Sequence, residues 1–176
     1  LAFRTRVAPA KANLAATAAL EHFTATLAEL LLTNEEARNM FGHDGVRDLF
    51  VWHALEESEH KAVAFDVYKA VGGSERMRVW TMKSNRFGFV AGLLLQIAVA
   101  LLFDRSTYRR GGLRRSLAGF RRSPLISKDL WQQLRDYDRP DFHPDDRDTT
   151  ELVEQWRTEL FGPEGTLNGN LLKATA

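Results

Sequence analysis

The residues best placed to do chemistry are two histidines and a glutamate at helical spacing. His53, Glu57 and His60 follow one another at intervals of four and three residues within the run Trp52 to Tyr68. On a helix turning about 100° per residue they share one face. Val46, Leu49, Phe50, Ala64, Val67, Tyr68 and Val71 fall within about 60° of His53 on the same wheel. The stripe is otherwise apolar or aromatic, which predicts a core-facing seam with three metal-ligating groups at its centre. Glu56 lies at the edge of that face, while Ser58, Glu59 and Asp66 point elsewhere.

A carboxylate turned toward a core loses hydration worth several kcal/mol unless it is paired or coordinated. A metal ion offsets that loss. Glu57 and His60 form a Glu-x-x-His pair, whose oxygen and nitrogen converge on one ion in di-iron and di-manganese bundles. The competing reading is a Glu/His cluster held in a polar patch by an arginine or lysine. A carboxylate partner comes from the first helix. Glu21 shares its face with Leu14, Thr17, Ala18, Ala25, Ala28 and Leu32, a small-residue stripe suited to close helix approach. Antiparallel packing brings Glu21 beside Glu57, and the alternative for Glu21 is a buried pair with an arginine such as Arg47. His22, about 100° away, is a weaker candidate.

The elements that must position these groups are well marked. An Ala/Leu-rich helix is predicted from Pro9 to Leu32, with proline near its first turn. Residues 33–45 connect it, through one helical turn, to a helix from Val46 to Val71 that stops at Gly72-Gly73. Ser74 caps a third helix reaching Phe103. Asp104 to Ser123 is basic; a short helix follows from Ser127 to Tyr137, then a Pro-punctuated turn region over 139–148. A last helix spans Thr150 to Phe161 and a weakly ordered tail runs from Gly162. This gives an all-α protein: a helical metal-binding bundle region over 1–106, a basic linker over 107–125, and a C-terminal helical segment with tail over 126–176.

Composition excludes several chemistries. The 176 residues, 44% hydrophobic and 27% charged, are those of a folded chain. With no cysteine, disulfides, thiolate metal sites and a cysteine nucleophile are ruled out, and a cytoplasmic location is expected. A net charge of +1 and the lack of any nucleic-acid motif argue against nucleic acid as a partner. Phe87 to Phe103 is a 17-residue apolar run interrupted only by Gln96 and small residues, near the lower limit for a membrane span. It reads first as a buried or membrane-contacting helix and second as a true span, and the arginines that follow it first as a solvated basic segment and second as a membrane-surface contact. His143, among Asp141, Asp145, Asp146 and Asp148, reads first as part of a rigid loop and second as an added ligand. Ser, His and Asp occur without nucleophile-elbow or triad spacing.

Ala18-Ala-Leu-Glu-His-Phe-Thr-Ala25 and Trp52-His-Ala-Leu-Glu-Glu-Ser-Glu-His-Lys-Ala-Val-Ala-Phe-Asp-Val-Tyr68 resemble the predicted metal-dependent hydrolase family of bacterial proteins. Asp141-Phe-His-Pro-Asp-Asp-Arg-Asp148, Leu152 and Trp156-Arg157 are similar to that family's C-terminal stretch. The resemblance implies a partial ferritin-like bundle. It also implies an upstream glutamate and Glu-x-x-His helix that do not precede Leu1, so a longer protein, a second subunit or a degraded site is expected.

The functional expectation is a metal-dependent hydrolase for a small-molecule substrate. Glu21, Glu57 and His60 would hold a divalent iron, zinc or manganese ion, with His53 as ligand or base and Glu57 beside it in catalysis. A di-iron carboxylate oxidase or oxygenase is the first alternative. A non-enzymatic, membrane-associated helical module is the second. A homodimer is compatible with each.

Overall fold

The computed structural model describes residues 9–103 and 112–170. Those residues are all-α. α1 (Ala10–Thr33) follows Pro9, α2 (Glu35–Arg38) is a single turn, and α3 (Asp44–His60) and α4 (Val63–Ala70) are separated by a break. α5 (Glu75–Phe103), α6 (Gly112–Arg122), α7 (Lys128–Asp136) and α8 (Thr150–Phe161) complete the set, with 3-10 turns at Pro124–Ile126, Pro144–Asp146 and Asn168–Asn170.

Local chemistry fixes these boundaries. The Asn34 side chain accepts the Ala37 N–H and caps α2, and Arg38 donates to the free carbonyls of Leu31 and Leu32 at the end of α1. Gly72 adopts φ +70° to close α4. Gly73 must be glycine because a Cβ there would sit 2.3 Å from the Tyr68 ring. Tyr68 in turn donates its hydroxyl to Ser74 O at 2.8 Å, and Ser74 Oγ accepts the Met77 N–H that opens α5.

α1 is the central element. Its alanines (15, 16, 18, 19, 25 and 28) are buried, so neighbouring helices approach closely. α3 and α4 run antiparallel to it, since Leu32 packs with Val51, Thr24 meets Glu57, and Glu21 meets Ala64. One core joins α1 to Phe65, Tyr68 and Met82 and to Leu134, Tyr137 and Phe142 of the C-terminal part. The other joins Ala28 and Leu32 to Val51, Ala54 and Leu55 of α3 and to Trp156 and Leu160 of α8. Trp156 fixes that docking by donating its indole N–H to Leu32 O at 3.0 Å.

Two sequence expectations are corrected here. The helix expected from Val46 to Val71 is interrupted at Lys61 and Ala62, so its stripe does not run through in one phase. The buried residues of α3 are Val51, Ala54, Leu55 and Ser58, which lie about 150° around the wheel from His53. The seam expected to face the core therefore faces outward in α3: Val46, Leu49 and Phe50 are exposed. In α4 the shifted phase buries Ala64, Phe65 and Tyr68 but leaves Val67 and Val71 exposed. The basic stretch, read as a linker, is helical over Gly112–Arg122.

Candidate functional site

Glu57 is the best-positioned of the candidate groups. It lies late in α3 where α1 crosses, and Thr24 of α1 donates its hydroxyl to Glu57 Oε2 at 2.6 Å, a charge-assisted bond to a carboxylate. The other oxygen, Oε1, lies 3.4 Å from His53 Nε2, one turn back on the same helix. His53 Nδ1 is 3.9 Å from Glu56 Oε2. The imidazole is thus bracketed by two carboxylates. Side-chain exposure is 25% for Glu57 and 53% for His53, so the pair opens on solvent with its acid end partly sheltered.

Glu21 sits on the same edge of α1, one turn before Thr24. Its Oε2 accepts the Ala64 N–H at 3.2 Å, one of the unpaired donors at the start of α4, where helix polarity favours a negative charge. Antiparallel packing therefore brings Glu21 and Glu57 to neighbouring turns, as expected, and gives Glu21 a structural duty at the α3–α4 break. His60 ends α3 exposed. The argument that a cation must offset desolvation does not hold for His53 and His60, which keep their water. For Glu57 the Thr24 hydroxyl supplies part of the compensation.

In kind, a carboxylate and an imidazole one turn apart suit a divalent cation. In number they fall short. Among the described residues no group of three or more histidine, aspartate or glutamate side chains is arranged to hold a metal ion. Glu57 and His53 supply two donors from one side, with Glu21 and His60 nearby in the fold but committed elsewhere or turned outward.

His22 and His143 have partners within the fold. His22 is buried between Tyr137, 5.0 Å away, and Phe142, 4.9 Å away. Its Nε2 donates to Gln133 O at 3.2 Å, and burial pushes its pKa down to about 4, so it is neutral at physiological pH. His143 accepts the Asp145 N–H at Nδ1, which leaves the proton on Nε2, donated to Asp66 Oδ1 at 2.9 Å. The Asp146 side chain accepts the His143 N–H in return. This is a capped turn tied to α4, the rigid-loop reading of the Asp141–Asp148 segment.

Sequence reasoning missed Arg78, the largest fully buried side chain. Its guanidinium donates to Tyr137 O and, at 2.7 Å, to Arg139 O, pairs with Glu75, and stacks 4.9 Å from the Tyr137 ring. Arg86 adds bonds to Leu134 O and Asp138. The Glu75-x-x-Arg78 spacing was the available signal. A concavity of about 550 Å³ lies where α3 meets α8 and the loop before it, bordered by Ser58, Lys61, Arg147, Thr149 and Arg157. It is on the opposite side of α3 from His53 and Glu57. Its cations are internally engaged, Lys61 with Arg147 O and Thr149, and Arg157 with Glu59 and Glu154.

The profile of a family described as "Predicted metal-dependent hydrolase" matches residues 1–148. No curated protein and no solved structure matches the chain significantly.

Proposed function

The chain belongs to the predicted metal-dependent hydrolase family, and from that premise we propose that it hydrolyses a small-molecule substrate at a metal site to which α1 and α3 contribute one side. In this reading Glu57 would anchor the ion and His53 would be the imidazole beside it; Glu21, held on the Ala64 N–H, and His60, facing solvent at the end of α3, would have to turn toward it. The observation that carries the reading is Glu57 itself: Thr24 aims its carboxylate, with one oxygen left beside His53 Nε2.

A bound divalent ion supplies polarisation of the substrate and a water of lowered pKa. The chain's own residues supply orientation and proton handling. Thr24 restricts Glu57 to one rotamer, and Glu57 with Glu56 keeps His53 between two acceptors. An imidazole so placed can hold a proton on Nε2 or pass it.

The test compares metal content and ester hydrolysis of the purified chain with those of Glu57→Gln and His60→Asn. Glutamine keeps an acceptor for Thr24, so the fold survives. Bound zinc or manganese with turnover in the parent, both lost in Glu57→Gln, supports the proposal. Equal metal content in parent and variants overturns the ligand assignment. Iron with an oxygen-dependent absorption band and no hydrolysis overturns the reaction.

A further inference from the structure

We propose that the C-terminal half of α5, together with α6, docks the protein on anionic lipid bilayers. α5 is one unbroken helix of 29 residues, but its two halves have different surroundings. In the first half Arg78 and Met82 are buried, and further along Phe89 packs against Phe23. From residue 90 to 103 no residue is buried. Leu95 is 65% exposed and Phe103 82%. A helix apolar on every side belongs in a protein interior or in hydrocarbon. α5 is long and apolar enough to cross a membrane, and none of its apolar window is buried within the protein.

Charge identifies the occupant. From Arg76 to Lys128 the sequence holds twelve lysines and arginines against one acid, Asp104, although the whole chain carries only +1. Positive charge is therefore concentrated where the apolar surface is uncovered. α6 repeats the pattern on a small scale, with Leu117 and Phe120 exposed alongside Arg114, Arg121 and Arg122. A second copy docking on this face would bring like charges together, whereas an anionic headgroup layer complements them.

Exposed cations flank the apolar run, Lys83 before it and Arg114, Arg121 and Arg122 of α6 after it, where anionic headgroups would meet them.

The experiment is vesicle flotation of the full chain with phosphatidylcholine alone and with added phosphatidylglycerol. Flotation with the anionic vesicles, reduced about tenfold or more by Leu94→Lys with Leu95→Lys, is the expected result. Both positions are exposed, so the variant folds, which circular dichroism checks. It leaves α1 and α3 untouched, so its failure is separable from that of the metal proposal. Absence of flotation with either vesicle overturns the proposal, as does undiminished binding of the double variant. Self-association abolished by the lysines without vesicle binding does the same.

Discussion

His22 and His53 mark two regions that treat polar groups in opposite ways. Around His22 the chain buries an imidazole, the Arg78 guanidinium and the Tyr137 phenol among aromatic rings. Backbone carbonyls of Gln133, Tyr137 and Arg139 accept from the imidazole and the guanidinium. Around Glu57 α1 presents Thr24 to the acid and Glu21 to the Ala64 N–H, while His53 and His60 remain wet. The first region is a joint, fastening the C-terminal turns to α1, α4 and α5. The second stays open to solvent. Burial and hydrogen-bond order single out His22, whereas the proposed function rests on His53 and Glu57.

The contrast predicts a large stability effect at the joint. Arg78→Met removes donors from two carbonyls inside the protein and leaves Glu75 without its buried partner. The expected loss is roughly 3–5 kcal/mol, read as a lowered urea midpoint. A loss below about 1 kcal/mol would mean that the C-terminal turns are held by apolar packing alone.

His22 gives the joint a pH signature. Its folded pKa of about 4 lies below the unfolded value of about 6.5. The unfolded chain therefore binds the proton first as pH falls. Stability from this group is complete above about pH 6.5 and declines through the window down to about pH 4, where both states are protonated. The shift corresponds to about 3 kcal/mol across the window. Urea titrations at several pH values should show that decline, flattened in His22→Gln. An unchanged slope in the variant would assign the acid sensitivity to carboxylates.

The two regions also differed in how far the sequence revealed them. Pro9, the Gly72-Gly73 stop and the Ser74 cap are local signals, and the helix ends they mark appear as read. The outward phase of α3 was not legible because its cause is remote. Nothing in His60-Lys-Ala-Val63 forbids a helix. The break there is supported by Glu21 on the Ala64 N–H and by Lys61 on Arg147 O and Thr149 Oγ1, groups far away in the chain. A wheel drawn through the break averaged two phases into one. Glu21 and Glu57 were still brought to neighbouring turns, because antiparallel packing on an alanine-rich helix depends on composition more than on phase. Arg78 escaped notice because its partners are main-chain carbonyls, which have no sequence signature.

The smallest stability effect is also the sharpest probe of the open region. Thr24→Val keeps the side chain's shape and removes only the hydroxyl that aims Glu57. With the carboxylate 25% exposed, water can replace part of the lost bond, so the expected destabilisation is roughly 1 kcal/mol or less. A hydrogen bond that only joined α1 to α3 would register there and nowhere else. If Glu57 is a ligand, the freed carboxylate samples other rotamers, and metal affinity falls by about 10- to 100-fold, as when a ligand loses its supporting bond. The joint and the open region then show inverse ratios: large stability loss with metal retained for Arg78→Met, near-native stability with metal weakened for Thr24→Val. Parallel changes in both readouts would remove the distinction and leave Glu57 as a helix-packing residue.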